Sequence, residues 1–193
     1  MTPLDLRSSD WISEAATRIK KNEIGLIPFD TVWGIVGRIT PSVIQRIFEI
    51  KQRPLDRPLL VVIGQEDHLP RLCTPLTSAQ KQATVRHWPG PVTLILPKRP
   101  ELPPILTGNA EGIAIRFPSA PWVIDLINAV GEPLISTSAN KHGDPVPATI
   151  TDWDPRLVDG CDFTVSFAVP MTGAPSTIID CLGAEPQVVR QPS

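Results

Sequence analysis

Apolar residues recur along this chain in two alternating periods, and the alternation sets out the expected elements. Trp11, Ile12, Ala15, Ala16 and Ile19 fall on one side of a helix that Asp10 is placed to cap and that ends near Asn22. Residues 24–29 form an unbroken apolar run of strand length, interrupted by an Asp-Thr turn and resumed at 33–36. At Thr40-Pro41 a second helix opens with proline in its first position, and Val43, Ile44, Ile47, Phe48 and Ile50 make its apolar side up to Lys51. Further strands are predicted at 59–63, 92–96, 113–117, 133–136, 177–180 and 187–190. Further helices are predicted at 78–87 and 121–130, the second stopped by Gly131. Helix and strand alternate early, whereas the closely spaced strands late in the chain favour antiparallel pairing. The pattern therefore predicts an α/β fold: a mixed sheet with helices against it.

Composition refines this picture. The 23 prolines and 12 glycines bracket short apolar runs instead of clustering, which points to strands joined by tight, stiff loops. With 193 residues, 41% of them hydrophobic, and with neither an internal repeat nor a dividing linker, the chain is expected to form one domain over residues 1–193. A net charge of -2 argues against a protein that grips nucleic acid by bulk electrostatics, so any RNA contact is expected to be weak or secondary. Cys73, Cys161 and Cys181 are odd in number and too far apart for a CxxC pair, and read as reduced thiols. Residues 1–21 carry Asp5, Asp10 and Glu14 and lack a signal-peptide core, and no later run reaches membrane-spanning length. The expected location is the cytoplasm.

The chain lacks a GxxxxGK[ST] phosphate loop, a GxGxxG after a strand, an HExxH metal pair and a GxSxG elbow. His68, His87 and His142 read as surface or loop residues. What chemistry there is lies at the ends of apolar strands. In Lys51-Gln52-Arg53-Pro54-Leu55-Asp56-Arg57-Pro58, three cations are held by two prolines. This arrangement suits a polyphosphate, and it also suits an ordinary solvated corner. The turn at Asp30-Thr31 can present the Thr31 hydroxyl to a small polar ligand, or Asp30 can bond its own backbone. Ser136-Thr137-Ser138-Ala139-Asn140 places three hydroxyls and an amide at the end of a buried strand, to be satisfied by a ligand or by internal bonds. Arg116 closes the apolar run 113–115, where its guanidinium can fork onto a carboxylate or make a surface ion pair. Ser176 and Arg190 are unremarkable singly.

Together these segments closely resemble the YrdC-like threonylcarbamoyl-AMP synthase family. The matching pieces are Pro28-Phe29-Asp30-Thr31-Val32-Trp33-Gly34, Lys51-Gln52-Arg53-Pro54-Leu55-Asp56-Arg57-Pro58-Leu59, Trp88-Pro89-Gly90-Pro91-Val92-Thr93, Ile115-Arg116-Phe117-Pro118, Ser136-Thr137-Ser138-Ala139-Asn140 and Pro175-Ser176-Thr177-Ile178-Ile179-Asp180. They run in family order from the first predicted strand almost to the last residue. The resemblance implies a twisted mixed sheet with a concave substrate face. It also implies an enzyme that joins L-threonine, bicarbonate and ATP into threonylcarbamoyl-adenylate and pyrophosphate for tRNA modification.

Carried over by motif, Lys51 and Arg53 would bind ATP phosphates, with Arg57, Asn140 and Arg190 on the nucleotide. Thr31, Arg116 and Ser176 would hold threonine, and Ser138 would touch threonine or the reacting carbamate. Lys51, Arg53 and Ser138 form the implied catalytic set. Mg2+ would come with the triphosphate, held mainly by phosphate because no carboxylate cage is visible.

Four positions depart from the family pattern. Phe29 replaces a usual Thr, Trp33 a Tyr or Phe, and Val62 a His found in some members. Ala148 replaces a frequent hydroxyl, removing one hydrogen bond, typically about 0.5–1.5 kcal/mol. The short form is expected to rely on separate partner proteins for transfer to tRNA. Two alternatives remain open: an RNA-binding, translation-associated module on the same fold, and a carbamoyl-adenylate-forming domain.

Overall fold

The computed structural model describes residues 2–4, 10–140, 153–165 and 171–192. Among these residues ten strands form one sheet. Along the chain they are β1 (Thr2–Leu4), β2 (Gly25–Pro28), β3 (Trp33–Arg38), β4 (Leu60–Val62), β5 (Val92–Pro97), β6 (Gly112–Arg116), β7 (Leu134–Ser138), β8 (Phe163–Val165), β9 (Thr177–Asp180) and β10 (Gln187–Arg190). Across the sheet the order is β1-β8-β2-β3-β7-β4-β6-β5-β9-β10. The predicted mixed pairing is present. Thus β3 and β4 both run antiparallel to β7, and β5 runs antiparallel to β6, while β4 with β6 and β5 with β9 are parallel. The late strands β9 and β10 form the expected antiparallel pair.

The helices are α1 (Trp11–Lys20), α2 (Pro41–Lys51), α3 (Ser78–His87), α4 (Pro104–Thr107), α5 (Pro121–Val130) and α6 (Pro155–Gly160), with a 3-10 segment at Glu66–Arg71. Helices α2, α3 and α5 begin and end where the sequence pattern placed them. α3 starts with a reciprocal cap in which Thr77 Oγ1 accepts from the Gln80 amide and Gln80 Oε1 accepts from the Thr77 amide. α5 stops at Gly131, whose φ of 83° is costly for other residues.

Register divides the sheet into two unlike faces, because successive residues of a strand point to opposite sides. One row of paired positions crosses five strands as Ile135, Val61, Ile115, Leu94 and Ile179, all buried beneath α2 and α3. The adjacent row on the other face reads Val36, Ser136, Leu60, Ala114 and Ile95. Helices α1 and α5 cover the near end of that face, packing Ala15, Ile19, Val123 and Ile127 against Val36, Val62 and Leu134. Beyond them Gly34, Ser136 and Ala114 are too small to fill the space, and the sheet surface stays open as a hollow.

Several expectations need correction. The strands β1 and β8 and the short helices α4 and α6 have no counterpart in the predicted pattern. β7 continues to Ser138, so the hydroxyls at 136–138 belong to the strand itself and not to a loop after it. His68 is 1% exposed, its Nδ1 accepting from the Gly64 amide, so it is a core residue rather than a surface one. His142 and Ala148 lie outside the described residues.

Gln80 also ties α3 to the β9–β10 connection, its Nε2 donating to the Cys181 carbonyl at 2.8 Å. Gln80→Ala breaks the cap and leaves a buried carbonyl unpaired. It is expected to lower stability by about 1–3 kcal/mol, read as a lower urea midpoint; an unchanged midpoint contradicts this assignment.

Candidate functional site

The hollow encloses about 240 Å³, and its polar groups come from six separated stretches of chain. At one end the β2–β3 turn brings Thr31 against Arg116 at the end of β6. Arg116 is 4% exposed, and three of its N–H groups are engaged: Nε with the Gly90 carbonyl (2.9 Å), Nη1 with Thr31 Oγ1 (2.7 Å) and Nη2 with Asp30 Oδ1 (2.7 Å). Burial pushes its pKa down while the Asp30 carboxylate pushes it up; a guanidinium stays charged under either influence. The ordinary surface reading of each residue at this corner fails. Arg116 forms a buried ion pair, not a surface one, and Asp30 bonds Arg116 and Ser119 in place of its own backbone.

Ser176, just before β9, lies beside this group. Its hydroxyl is 2.8 Å from Thr93 Oγ1 and 3.4 Å from Arg190 Nη2. Arg190 returns from β10 and also donates to the Ser176 carbonyl at 2.8 Å. Across the mouth, Arg53 donates to the Pro58 carbonyl at 2.8 Å. Burial lowers the pKa of Arg53, and the charges of Arg57 and Arg190 lower it further. Among the described residues neither Arg53 nor Arg190 has a carboxylate within salt-bridge distance. Two cations, Arg53 half-buried and Arg190 exposed, that share a mouth without a carboxylate among the described residues form a place for an anion.

Lys51 lies elsewhere than a phosphate-binding cation of the turn would. It is the last residue of α2, 1% exposed, and does not line the hollow. Its Nζ donates to the Ser138 carbonyl (2.5 Å), the Asn140 carbonyl (2.6 Å) and Asn140 Oδ1 (3.1 Å). Asn140 Oδ1 also accepts from Ser138 Oγ at 2.6 Å. Lys51 therefore sits beneath the end of β7 and fixes the strand end that carries Ser138 into the hollow. Burial, and next the Arg53 charge, push its pKa down to about 7.

The structure thus gathers Thr31, Arg53, Arg116, Ser138, Ser176 and Arg190 around one hollow. It sets Lys51 and Asn140 directly behind Ser138, and leaves Arg57 exposed outside the lining. Among the departures, Phe29 leans over Gly34, so close that a Cβ there would come within 2.7 Å of its ring. Trp33 packs edge-on against Trp153 at 4.9 Å, and Val62 is part of the lining. Sequence reasoning missed Asp30 and Thr93 as partners of the site. For Thr93 a signal existed: a hydroxyl inside the apolar run 92–96 needs a buried partner. Among the described residues no group of three or more His, Cys, Asp or Glu is placed to hold a metal, and no helix is long and apolar enough to cross a membrane.

Comparison with known proteins gives a consistent picture. The family model Sua5_yciO_yrdC, described as "Telomere recombination", matches residues 17–192. A threonylcarbamoyl-AMP synthase of Klebsiella pneumoniae is 32% identical over 92% of this chain and 94% of its own. One of Bacillus subtilis is 34% identical over 93% of this chain, which spans only 52% of that longer relative. The crystal structure of P. abyssi Sua5 complexed with L-threonine superposes with a TM-score of 0.88 and 28% identity, over 99% of this chain and 57% of that one.

The buried ammonium has a measurable consequence. With a folded pKa near 7 and an ordinary value of 10.5, Lys51 holds its proton in the unfolded chain and releases it in the folded one between those limits. Unfolding then takes up a proton, so this residue makes stability rise with pH, by up to ~1.4 kcal/mol per pH unit. Lys51→Met is expected to flatten that slope between about pH 7 and about 9, below the range where the buried Cys73 and Cys161 thiols, both pushed up to about 12, contribute. Parallel urea titrations of the two proteins provide the check. Lys51→Ala is expected to destabilise the fold as well, through its cavity and the unpaired carbonyls, by about 2–5 kcal/mol. It is therefore a poor probe of phosphate binding.

Proposed function

The chain belongs to the Sua5/YciO/YrdC family, and from that premise we propose that it is a threonylcarbamoyl-AMP synthase. In this reading it is a nucleotidyltransferase that consumes L-threonine, bicarbonate and ATP and releases threonylcarbamoyl-AMP and pyrophosphate, within the cytoplasm and as one domain. The observation that carries the reading is the division of the hollow. A hydrogen-bond-rich corner at Arg116 and Thr31, its charge met by Asp30, shares the hollow with two cations, Arg53 and Arg190, that have no carboxylate partner among the described residues, and Ser176 bridges the two by bonding Arg190.

The chemistry needs that division. Threonine's amine adds to CO2 with loss of a proton, or to bicarbonate with loss of water, to give a carbamate, and a carbamate oxygen then attacks the α-phosphorus while pyrophosphate leaves. Both reactants are anionic, so positioning and charge neutralisation govern the barrier more than proton transfer does. The corner suits the amino acid: Arg116 retains two N–H groups for its carboxylate, and the Thr31 and Ser176 hydroxyls stand beside them. The mouth suits the triphosphate. Arg53 and Arg190 meet its charge, with Arg57 farther out, and Ser138, between the two ends, reaches the reacting carbamate. Asn140, bonded behind Ser138, is assigned to the nucleotide. Lys51 serves the reaction by holding Ser138 in place. Mg2+ suits this site as a companion of the triphosphate; the described residues offer it no acidic cage, and the carboxylate at the corner, Asp30, is already shared between Arg116 and Ser119. Transfer of the product to tRNA falls to partner proteins.

Incubation with ATP, bicarbonate and single amino acids is expected to yield, by mass spectrometry, an adenylate that appears only with threonine. An adenylate that forms equally well without threonine rules the reading out. Arg53 bonds only backbone carbonyls of its own turn, so Arg53→Ala is expected to keep the circular dichroism of the wild type. It should slow pyrophosphate release by about a hundredfold or more, and wild-type turnover in this variant excludes a phosphate role for Arg53.

A further inference from the structure

Asp30 is the one described carboxylate built into the corner of the hollow, and it has no part in the chemistry set out above. Its Oδ1 accepts from Arg116 Nη2 at 2.7 Å. Its Oδ2 accepts from the Ser119 hydroxyl at 2.6 Å and from the Ser119 amide at 3.3 Å. Its backbone carbonyl accepts from the Thr172 amide (3.0 Å), and that of Thr31 from the Gly173 amide (2.9 Å), so the turn is also tied to the segment leading into β9. The carboxylate is therefore fixed from two directions, and it fixes Arg116 in turn.

We propose that Asp30 is a positioning residue that makes this corner selective for a carboxylate. With Nε on Gly90 and Nη2 on Asp30, the guanidinium plane is set, and Nη1 donates to Thr31 Oγ1. An oxygen that accepts from Arg116 must send its own proton elsewhere, so the Thr31 O–H is left as a donor. The corner then presents that hydroxyl proton beside the two remaining guanidinium N–H groups. A ligand oxygen pair meets three donors, whereas a carboxamide brings its own NH2 against them and leaves buried donors unpaired. Without Asp30 the guanidinium keeps its charge but loses the partner that sets its plane and thereby orders the Thr31 hydroxyl.

This inference rests on the amino-acid reading of the corner, and its test separates the two. L-Threonine and L-threoninamide are titrated into the full chain by calorimetry, for the wild type, Asp30→Asn and Ser119→Ala. Wild type is expected to prefer threonine. Asp30→Asn is expected to weaken threonine binding by about 10- to 100-fold, the equivalent of a charged hydrogen bond, while threoninamide changes by less than about threefold. Ser119→Ala, at an exposed position, shifts the preference in the same direction by a smaller factor and serves if Asp30→Asn does not fold. Equal weakening of both ligands by the folded Asp30→Asn protein overturns the proposal, because a residue that merely supports the fold does not discriminate between them. If Asp30→Asn fails to fold, an unchanged preference in Ser119→Ala overturns it. Wild type that binds neither ligand overturns the amino-acid reading itself, and the inference with it.

Discussion

The Ser138 side of the hollow depends on one buried ammonium. Lys51 closes α2 from beneath the sheet and gives its three donors to oxygens at the end of β7, the strand flanked by β3 and β4. A strand end that turns inward exposes carbonyls to the interior, where an unpaired one is costly. The ammonium satisfies two of them and the Asn140 side chain together, and the strand end that bears Ser138 is held as a result. The arrangement is also tense, since a charge so buried is driven toward neutrality and a neutral amine has only two N–H groups for three acceptors.

The same economy governs the opposite corner. There a cation is buried at the end of β6, and it is tolerated because a carboxylate, a carbonyl and a hydroxyl complete its bonding. Among the described residues Arg53 and Arg190 have only neutral partners: Arg53 donates to the Pro58 carbonyl, and Arg190 to the carbonyl and hydroxyl of Ser176. Contrast between compensated and uncompensated charge, more than any single residue, gives the site its two ends.

Much of this was legible in the chain. The helical period and terminal signals of α2, α3 and α5 are strong because proline, a capping box and a glycine mark their boundaries. Strands β1 and β8 escaped because each is three residues long and they pair in parallel with one another across most of the chain, which leaves no local turn signal. The hollow was legible as a set of motifs, but the bonds inside it were not: Arg116 and Asp30 are 86 residues apart, and only the fold brings them together. Lys51 was misjudged for a different reason. Its nearness to Arg53 and Arg57 suggested a surface cluster, yet it follows Ile44 by seven residues and Ile47 by four, which is the buried stripe of the helix. The period that predicted α2 also placed its last residue inside.

Trp33 offers a consequence of a different kind. It forms part of the lining and meets Trp153 edge-on, in a chain with five tryptophans and no tyrosine. Ultraviolet emission from the folded molecule thus comes almost wholly from indoles, one of which borders the hollow with a second in ring contact behind it. An aromatic base or a shift of charge entering that space alters the surroundings of a chromophore already in place, and the molecule carries its own optical gauge of occupancy.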